Sequence, residues 1–169
     1  PHVELIRLND NTGFAHANNL GAEKVKSDWI ALLNPDAFAA PDWLENLVRA
    51  AQRNPEFSFF GSHMLRHGAA DAMDGTGDIY HVSGLAWRRD HGLSASKTNR
   101  RTDEIFSACA AAAMIQKDIF LEAGGFDETF HSYFEDVDLG FRIRLMGHRC
   151  LYVADAVVEH VGSGSTARY

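Results

Sequence analysis

Short apolar runs that alternate with helical patterns predict an α/β sandwich built on a mostly parallel sheet. Two observations weigh most. Trp29–Leu33 (WIALL) is an unbroken apolar run of strand length, as expected of a strand buried on both faces. Residues 42–53 form a well-punctuated amphipathic helix. Pro41 suits the first turn, Leu44, Leu47, Val48 and Ala51 make an i, i+3, i+4, i+7 stripe, and Asn54-Pro55 stops it. With 169 residues, 46% of them hydrophobic, the chain can build one sizeable core but not two full domains.

The remaining elements come in order. Val3–Leu8 (VELIRL) is apolar enough for a short strand, and turn formers come next at Asn9, Asp10, Asn11 and Gly13. His16–Lys26 reads as a modest helix, and Phe57–Phe60 as a strand. Residues 67–102, rich in Gly, Ser, Asp and Arg, read as long loops with one or two short strands around Ile79–Trp87. Ile105–Ile115 looks like a buried strand of small residues, and Lys117–Ala123 like a short helix closed by Gly124-Gly125. Val137–Leu145 (VDLGFRIRL) is ambiguous. Its strict alternation favours a strand, whereas acids at its start, Arg142 and Arg144 near its end and Gly147 beyond suit a helix. A helix would also pair Asp138 with Arg142 at i, i+4.

Several function classes are disfavoured. A formal net charge of -7 argues against nucleic acid, whose phosphates call for clustered Lys and Arg. Cys109 and Cys150 are far apart and no CxxC pair exists, so neither structural zinc nor a disulfide framework is expected. A reduced, cytoplasmic setting is the simplest expectation. The longest apolar run, Ala108–Ile115, is too short to span a bilayer, and the first residues do not read as a signal peptide. Peripheral membrane association stays open. No GxGxxG turn supports a dinucleotide-dependent oxidoreductase.

Four places carry candidate chemistry. Asn34-Pro35-Asp36 ends a predicted buried strand, where a carboxylate can meet a ligand or a divalent cation; the same triplet is ordinary turn chemistry. Glu135-Asp136-Val137-Asp138 comes after Phe130, Tyr133 and Phe134. Apolar surroundings can raise a carboxylate toward acid–base work, although acids also simply stabilise a helix start. His160 precedes the flexible Gly162-Ser163-Gly164-Ser165 and is a candidate metal ligand, or one more surface histidine. Asn11-Thr12-Gly13-Phe14, with Asn18-Asn19, can present backbone N–H groups to phosphate, or can merely cap a helix.

Taken in order, NTGFAHANNLG (Asn11–Gly21), WIALLNPDAF (Trp29–Phe38), GGFDETFHSYFEDVDLGFRIRLMGH (Gly124–His148) and EHVGSGS (Glu159–Ser165) resemble family 2 glycosyltransferases, specifically the bacterial rhamnosyltransferase-like branch. The resemblance implies the GT-A fold, a Rossmann-like three-layer α/β/α sandwich, with the N-terminal nucleotide-binding strands absent. It implies inverting transfer from a nucleotide-sugar donor, with rhamnose as the lean, to a glycan or lipid-linked acceptor, aided by Mg²⁺ or Mn²⁺. The family's DxD motif falls on Asn34-Pro35-Asp36, which makes Asp36 a metal ligand and leaves a neutral side chain at Asn34. Asp136 becomes the general base, with Glu135 beside it. His160 becomes a second metal ligand, and Asn11, Gly13, Asn34, Asp36 and Ser165 face the donor. Residues 136–147 should then be a helix. A non-catalytic carbohydrate- or protein-binding module derived from the same fold is the alternative. Lacking two strands, the sheet should expose Trp29–Leu33 as an open edge, covered by Val3–Leu8 or by a second copy in a homodimer.

Overall fold

The computed structural model describes residues 3–69, 71–130 and 133–162. The α/β expectation holds, and the three layers are clear. A central sheet runs β1 (Trp29–Leu33), β8 (Ala112–Gln116), β3 (Phe59–Arg66), β9 (Cys150–His160) and β2 (Ala37–Ala39). β4 (Met73–Gly75) extends it beside β3, and β7 (Asp103–Ile105) lies beside the first part of β9. One face carries α1 (Gly13–Lys24), α3 (Lys117–Glu122) and α4 (Glu135–Leu145), and the other carries α2 (Trp43–Arg53). Successive strand residues feed opposite layers, as a pleated sheet requires. Phe59, Ala113 and Ile115 pack with Phe120, Leu139 and Ile143, whereas Phe60, Ala112 and Met114 pack with Trp43, Leu47 and Ala50.

The direction of the strands corrects the prediction. Among the described residues only β3 and β9 run parallel in this sheet; β1–β8, β3–β8, β3–β4, β2–β9 and β7–β9 are antiparallel. The continuous-run criterion pointed to the wrong strand. In β1, Ala31 and Leu33 are exposed, and it pairs on one side only. Continuous burial is found in the first six residues of β3 and the first half of β9, which are parallel, but equally in Ala112–Ile115 of antiparallel β8, so burial on both faces reports a central place in the sheet and not strand direction.

Other expectations are revised as well. Residues 3–8 form no strand and are exposed, so they do not cover β1, which stands at the edge of the sheet as expected. Residues 105–115 are not one strand. Ser107–Ala111 leave the sheet between β7 and β8, and their small side chains let α4 approach. On α2 the buried stripe is Trp43, Asn46, Leu47 and Ala50, while Leu44 and Val48 face outward. The helix is rotated toward Trp43 because its indole Nε1 donates to Ser62 Oγ at 2.8 Å and Asn46 Nδ2 donates to the Asp155 carbonyl at 2.9 Å. The ambiguous segment is a helix: Asp136, Leu139, Gly140 and Ile143 share its buried face, and Asp138 accepts from Arg142 Nε at 2.9 Å. Both cysteines are buried and free. No helix among the described residues is long and apolar enough to cross a membrane.

Candidate active site

A cleft of about 660 Å³ opens where β4, residues 109–111 before β8, the N-terminus of α4 and the end of β9 converge. The hairpin of β5 (Asp78–Tyr80) and β6 (Ala86–Arg88) forms part of its lining.

One side is assembled by strand register. Asn34-Pro35-Asp36 turns β1 into β2, and Ala37 pairs antiparallel with His160. The Asp36 carbonyl also accepts from Val161 N–H at 3.0 Å. Asp36 Oδ1 thereby comes to 3.4 Å from His160 Nε2, so the triplet is a turn that also sets a carboxylate beside the imidazole. Behind the imidazole, His160 Nδ1 donates to Asp74 Oδ2 at 2.9 Å. An ionised carboxylate can only accept, so Nδ1 carries a proton toward Asp74 while Nε2 faces the Asp36 carboxylate. Asp74 also accepts from Arg88 Nη1 at 3.2 Å, and its carbonyl lies 2.8 Å from His91 Nδ1. Burial pushes the Asp74 carboxyl up. The His160 hydrogen bond and the charges of Arg88, His160 and His91 outweigh burial and leave it below the ordinary carboxylate range. His160 is raised in turn, chiefly by its hydrogen bond to Asp74, against burial.

The other side is the start of α4. Tyr133 and Phe134 both hold φ of 70°, a left-handed turn uncommon for aromatic residues, and the helix begins directly after it. That turn places Asp136 in the cleft, largely buried. Its Oδ2 accepts from Ala110 N–H at 3.2 Å and its Oδ1 from Val137 N–H at 2.9 Å. Ser107 Oγ donates to the Asp136 carbonyl at 3.0 Å, and a Cβ at Gly140 would overlap Ser107 Oγ, so glycine is required for this approach. Glu135 lines the same cleft with Oε2 buried and without a hydrogen-bond partner among the described residues. Burial first, and then the Asp136 charge, raise its carboxyl above the ordinary range.

Asp136, Glu135, Asn34 and His160 therefore line one cleft, and Asp36 adjoins it through His160. Asn11 and Gly13 do not line it. Asn11 Oδ1 accepts from Gly13 N–H at 3.1 Å in a turn that starts α1, and Phe14 is the residue of that segment that reaches the cleft. Asn19 is structural: its amide exchanges hydrogen bonds with the backbone of Phe126 at 2.8 and 2.9 Å. Ser165 lies outside the described residues. Sequence reading passed over Asp74, Asp78 and Arg88. The signal for the two acids was the run Asp74-Gly-Thr-Gly-Asp78, in which two glycines let the chain turn between a pair of carboxyls.

With this arrangement in view, comparison with known proteins places it. The model of the family described as "Glycosyl transferase family 2" matches residues 1–124. The chain belongs to glycosyl transferase family 2. The match ends before Asp136 and His160, but individual relatives continue through them. The N-acetylglucosaminyl-diphospho-decaprenol L-rhamnosyltransferase of Mycobacterium tuberculosis is 29% identical over 99% of this chain, which spans 62% of that protein's length. Rhamnosyltransferase WbbL of Escherichia coli is 27% identical over 83% of the chain and 58% of its own length. Among solved structures, that of GalNAc-T7 with UDP, GalNAc and Mn²⁺ superposes with a TM-score of 0.69 at 18% identity, over 92% of this chain and 31% of that one. This likeness establishes the GT-A fold.

Proposed function

We propose that this chain forms the catalytic cleft of an inverting glycosyltransferase, moving a sugar, rhamnose as the leading case, from a nucleotide-diphosphate donor to a hydroxyl of a glycan or lipid-linked acceptor. The observation that carries it is Asp136: a carboxylate oriented by two backbone N–H groups, in the same cleft as the Asp36–His160–Asp74 chain. An acceptor alcohol is a poor nucleophile until a base within hydrogen-bond reach takes its proton. Asp136 receives that proton as the acceptor oxygen bonds to the anomeric carbon and the diphosphate leaves from the opposite face. Inversion needs no covalent intermediate, so one base suffices.

Asp36 and His160 fit a divalent cation. Two ligands about 2.1 Å from one ion at right angles lie roughly 3 Å apart, close to the 3.4 Å seen between Asp36 Oδ1 and His160 Nε2. A carboxylate behind a metal-binding imidazole fixes its tautomer and ring orientation, which is the arrangement of Asp74. When bound, Mg²⁺ or Mn²⁺ would offset the charge developing on the leaving diphosphate. Asn34 contributes a neutral amide where the family pattern has an acid.

A second reading, a module that binds sugars without transferring them, draws on that same Asn34 and on the described residues containing no group of three or more potential ligands. Transfer measured on the full-length protein separates the two. Asp136→Asn should lower turnover by at least about 10²-fold, the usual scale of general-base catalysis, with an unchanged melting temperature. Near-normal turnover in that variant would dismiss Asp136 as the base.

A further inference from the structure

Asp78 opens β5, directly across from Arg88 in the β5–β6 ladder. Cross-strand neighbours share a face, so an ion pair between them is expected. It does not form. Arg88 reaches past Asp78, donating Nη1 to Asp74 Oδ2 at 3.2 Å and Nη2 to Cys109 Sγ at 2.8 Å. Asp78 Oδ2 is left buried without a hydrogen-bond partner among the described residues, while the residue lines the cleft and is only 5% exposed.

Its position is built. Asp78 N–H donates to the Ser107 carbonyl at 2.8 Å, and Ser107 in turn holds the start of α4. Gly77 has φ of 118°, and a Cβ there would collide with Ile105, so the backbone turns sharply just before the acid. A carboxyl kept only to hold its neighbours would spend its oxygens on them, as Asp74 does on His160 and Arg88. One kept for a ligand leaves an oxygen uncommitted, since natural sites give up stability where function needs it.

We propose that Asp78 is a sugar-hydroxyl-binding residue, forming with Glu135 a pair of carboxyls that flank Asp136 and grip a hydroxyl-bearing ring. This rests on the reading of the cleft as a sugar-transfer site. The surroundings select the ligand chemistry. A phosphate would meet the Asp136 carboxylate and be repelled, and a second cation would meet the Arg88 guanidinium. A hydroxyl is neutral and both donates and accepts. Burial, with the charge of Asp136 next, pushes the Asp78 carboxyl well above its ordinary range, so it keeps a proton to donate. Glu135 is raised for the same two reasons. The hydroxyl can belong to the donor sugar or to the acceptor.

The test compares Asp78→Val and Asp78→Asn in the full-length protein. Binding is titrated with dTDP-rhamnose, UDP-glucose and GDP-mannose and with the matching nucleotides alone, alongside transfer kinetics and melting temperature. Asp78→Val should melt no lower than wild type and bind nucleotide alone as before. A loss of about tenfold, the scale of one hydrogen bond, should appear in affinity for the nucleotide-sugar if the hydroxyl is the donor's, or in acceptor KM if it is the acceptor's. Asp78→Asn, which keeps a donor and an acceptor, should restore most of that loss. If Asp78→Val fails to fold, Asp78→Ala is held to the same criteria. Unchanged affinity and KM in a protein whose wild type binds a nucleotide-sugar would overturn this role for Asp78 alone. A wild type that binds none of the three would overturn the sugar-transfer reading, and this subsite with it.

Discussion

On the side of the cleft formed by β2, β4 and the end of β9, four side chains engage one another in a row: Asp36 with His160, His160 with Asp74, and Asp74 with Arg88. On the side formed by α4 and β5, Asp136 is engaged by two backbone donors, yet Asp78 and Glu135, which line the cleft with it, each keep a buried oxygen without a partner among the described residues. Each such oxygen costs on the order of 1–3 kcal/mol in the free protein. The first side is held rigid by partners within the protein. The second tolerates an internal deficit that a polyhydroxylated ligand would relieve. Within a single cavity, the contrast marks where stability ends and recognition begins.

Emptying the first side tests that contrast most severely. Asp36→Ala with His160→Ala should abolish Mn²⁺ binding by calorimetry, and Asp74→Asn alone should weaken it by about 10–100-fold through loss of imidazole orientation. Undiminished Mn²⁺ uptake in the double variant would remove both residues from the ion. The second side should respond to packing. Gly140→Ala forces a methyl into Ser107 and should cost about 1–3 kcal/mol in denaturant unfolding, with turnover falling as Asp136 shifts. Unaltered stability would mean that α4 is not pinned as described.

A smaller effect tests the support common to both sides, the parallel pair β3–β9. His63 on β3 is buried with Nδ1 at 2.6 Å from the Tyr152 hydroxyl, and burial, then Arg100, lower its pKa to about 4 from 6.5. Between those values the unfolded chain binds a proton that the fold refuses, so stability should fall on acidification from pH 6.5 toward pH 4, by on the order of 2 kcal/mol. Urea titrations of wild type and His63→Phe across that window should diverge; parallel curves would show that His63 titrates freely. The smallest effect concerns Asp138, half-exposed and paired to Arg142 one turn along α4. Asp138→Asn should cost about 0.5 kcal/mol, and less in high salt. A loss several times larger would place that pair among the supports of Asp136.

Much of the fold was legible in the sequence for local reasons. The stop of α2 at Asn54-Pro55, the acids opening α4 and the Asp138–Arg142 spacing all act within one or two turns of chain. Asp36, Asp136 and His160 stood out because their flanking motifs occur in a recognisable order. Strand direction was not legible. An apolar run reports burial, and β1 is apolar while sitting antiparallel at an edge. Asp74, Asp78 and Arg88 escaped because residues 67–102 lack a repeating apolar pattern. Their meaning arises only when Arg88 crosses to Asp74 and Cys109, contacts that no spacing rule encodes.

β9 passes β3 in two registers. Ser62 faces Val153 and His63 faces Val157, leaving Ala154, Asp155 and Ala156 without counterparts. The bulge is anchored, since Ala154 N–H donates to Thr102 Oγ1, and the Ala154 and Asp155 carbonyls accept from Arg100 and Asn46. Side chains alternate faces along a strand, so parity decides where the residues beyond the bulge point. Losing or gaining one residue in the bulge would leave Cys150–Val153 in place and turn His160 away from the cleft. A change of two would keep its face and move it along by one pleat. The bulge therefore works as a vernier, through which short insertions and deletions in even steps could alter the depth of the imidazole without disturbing the core beneath it.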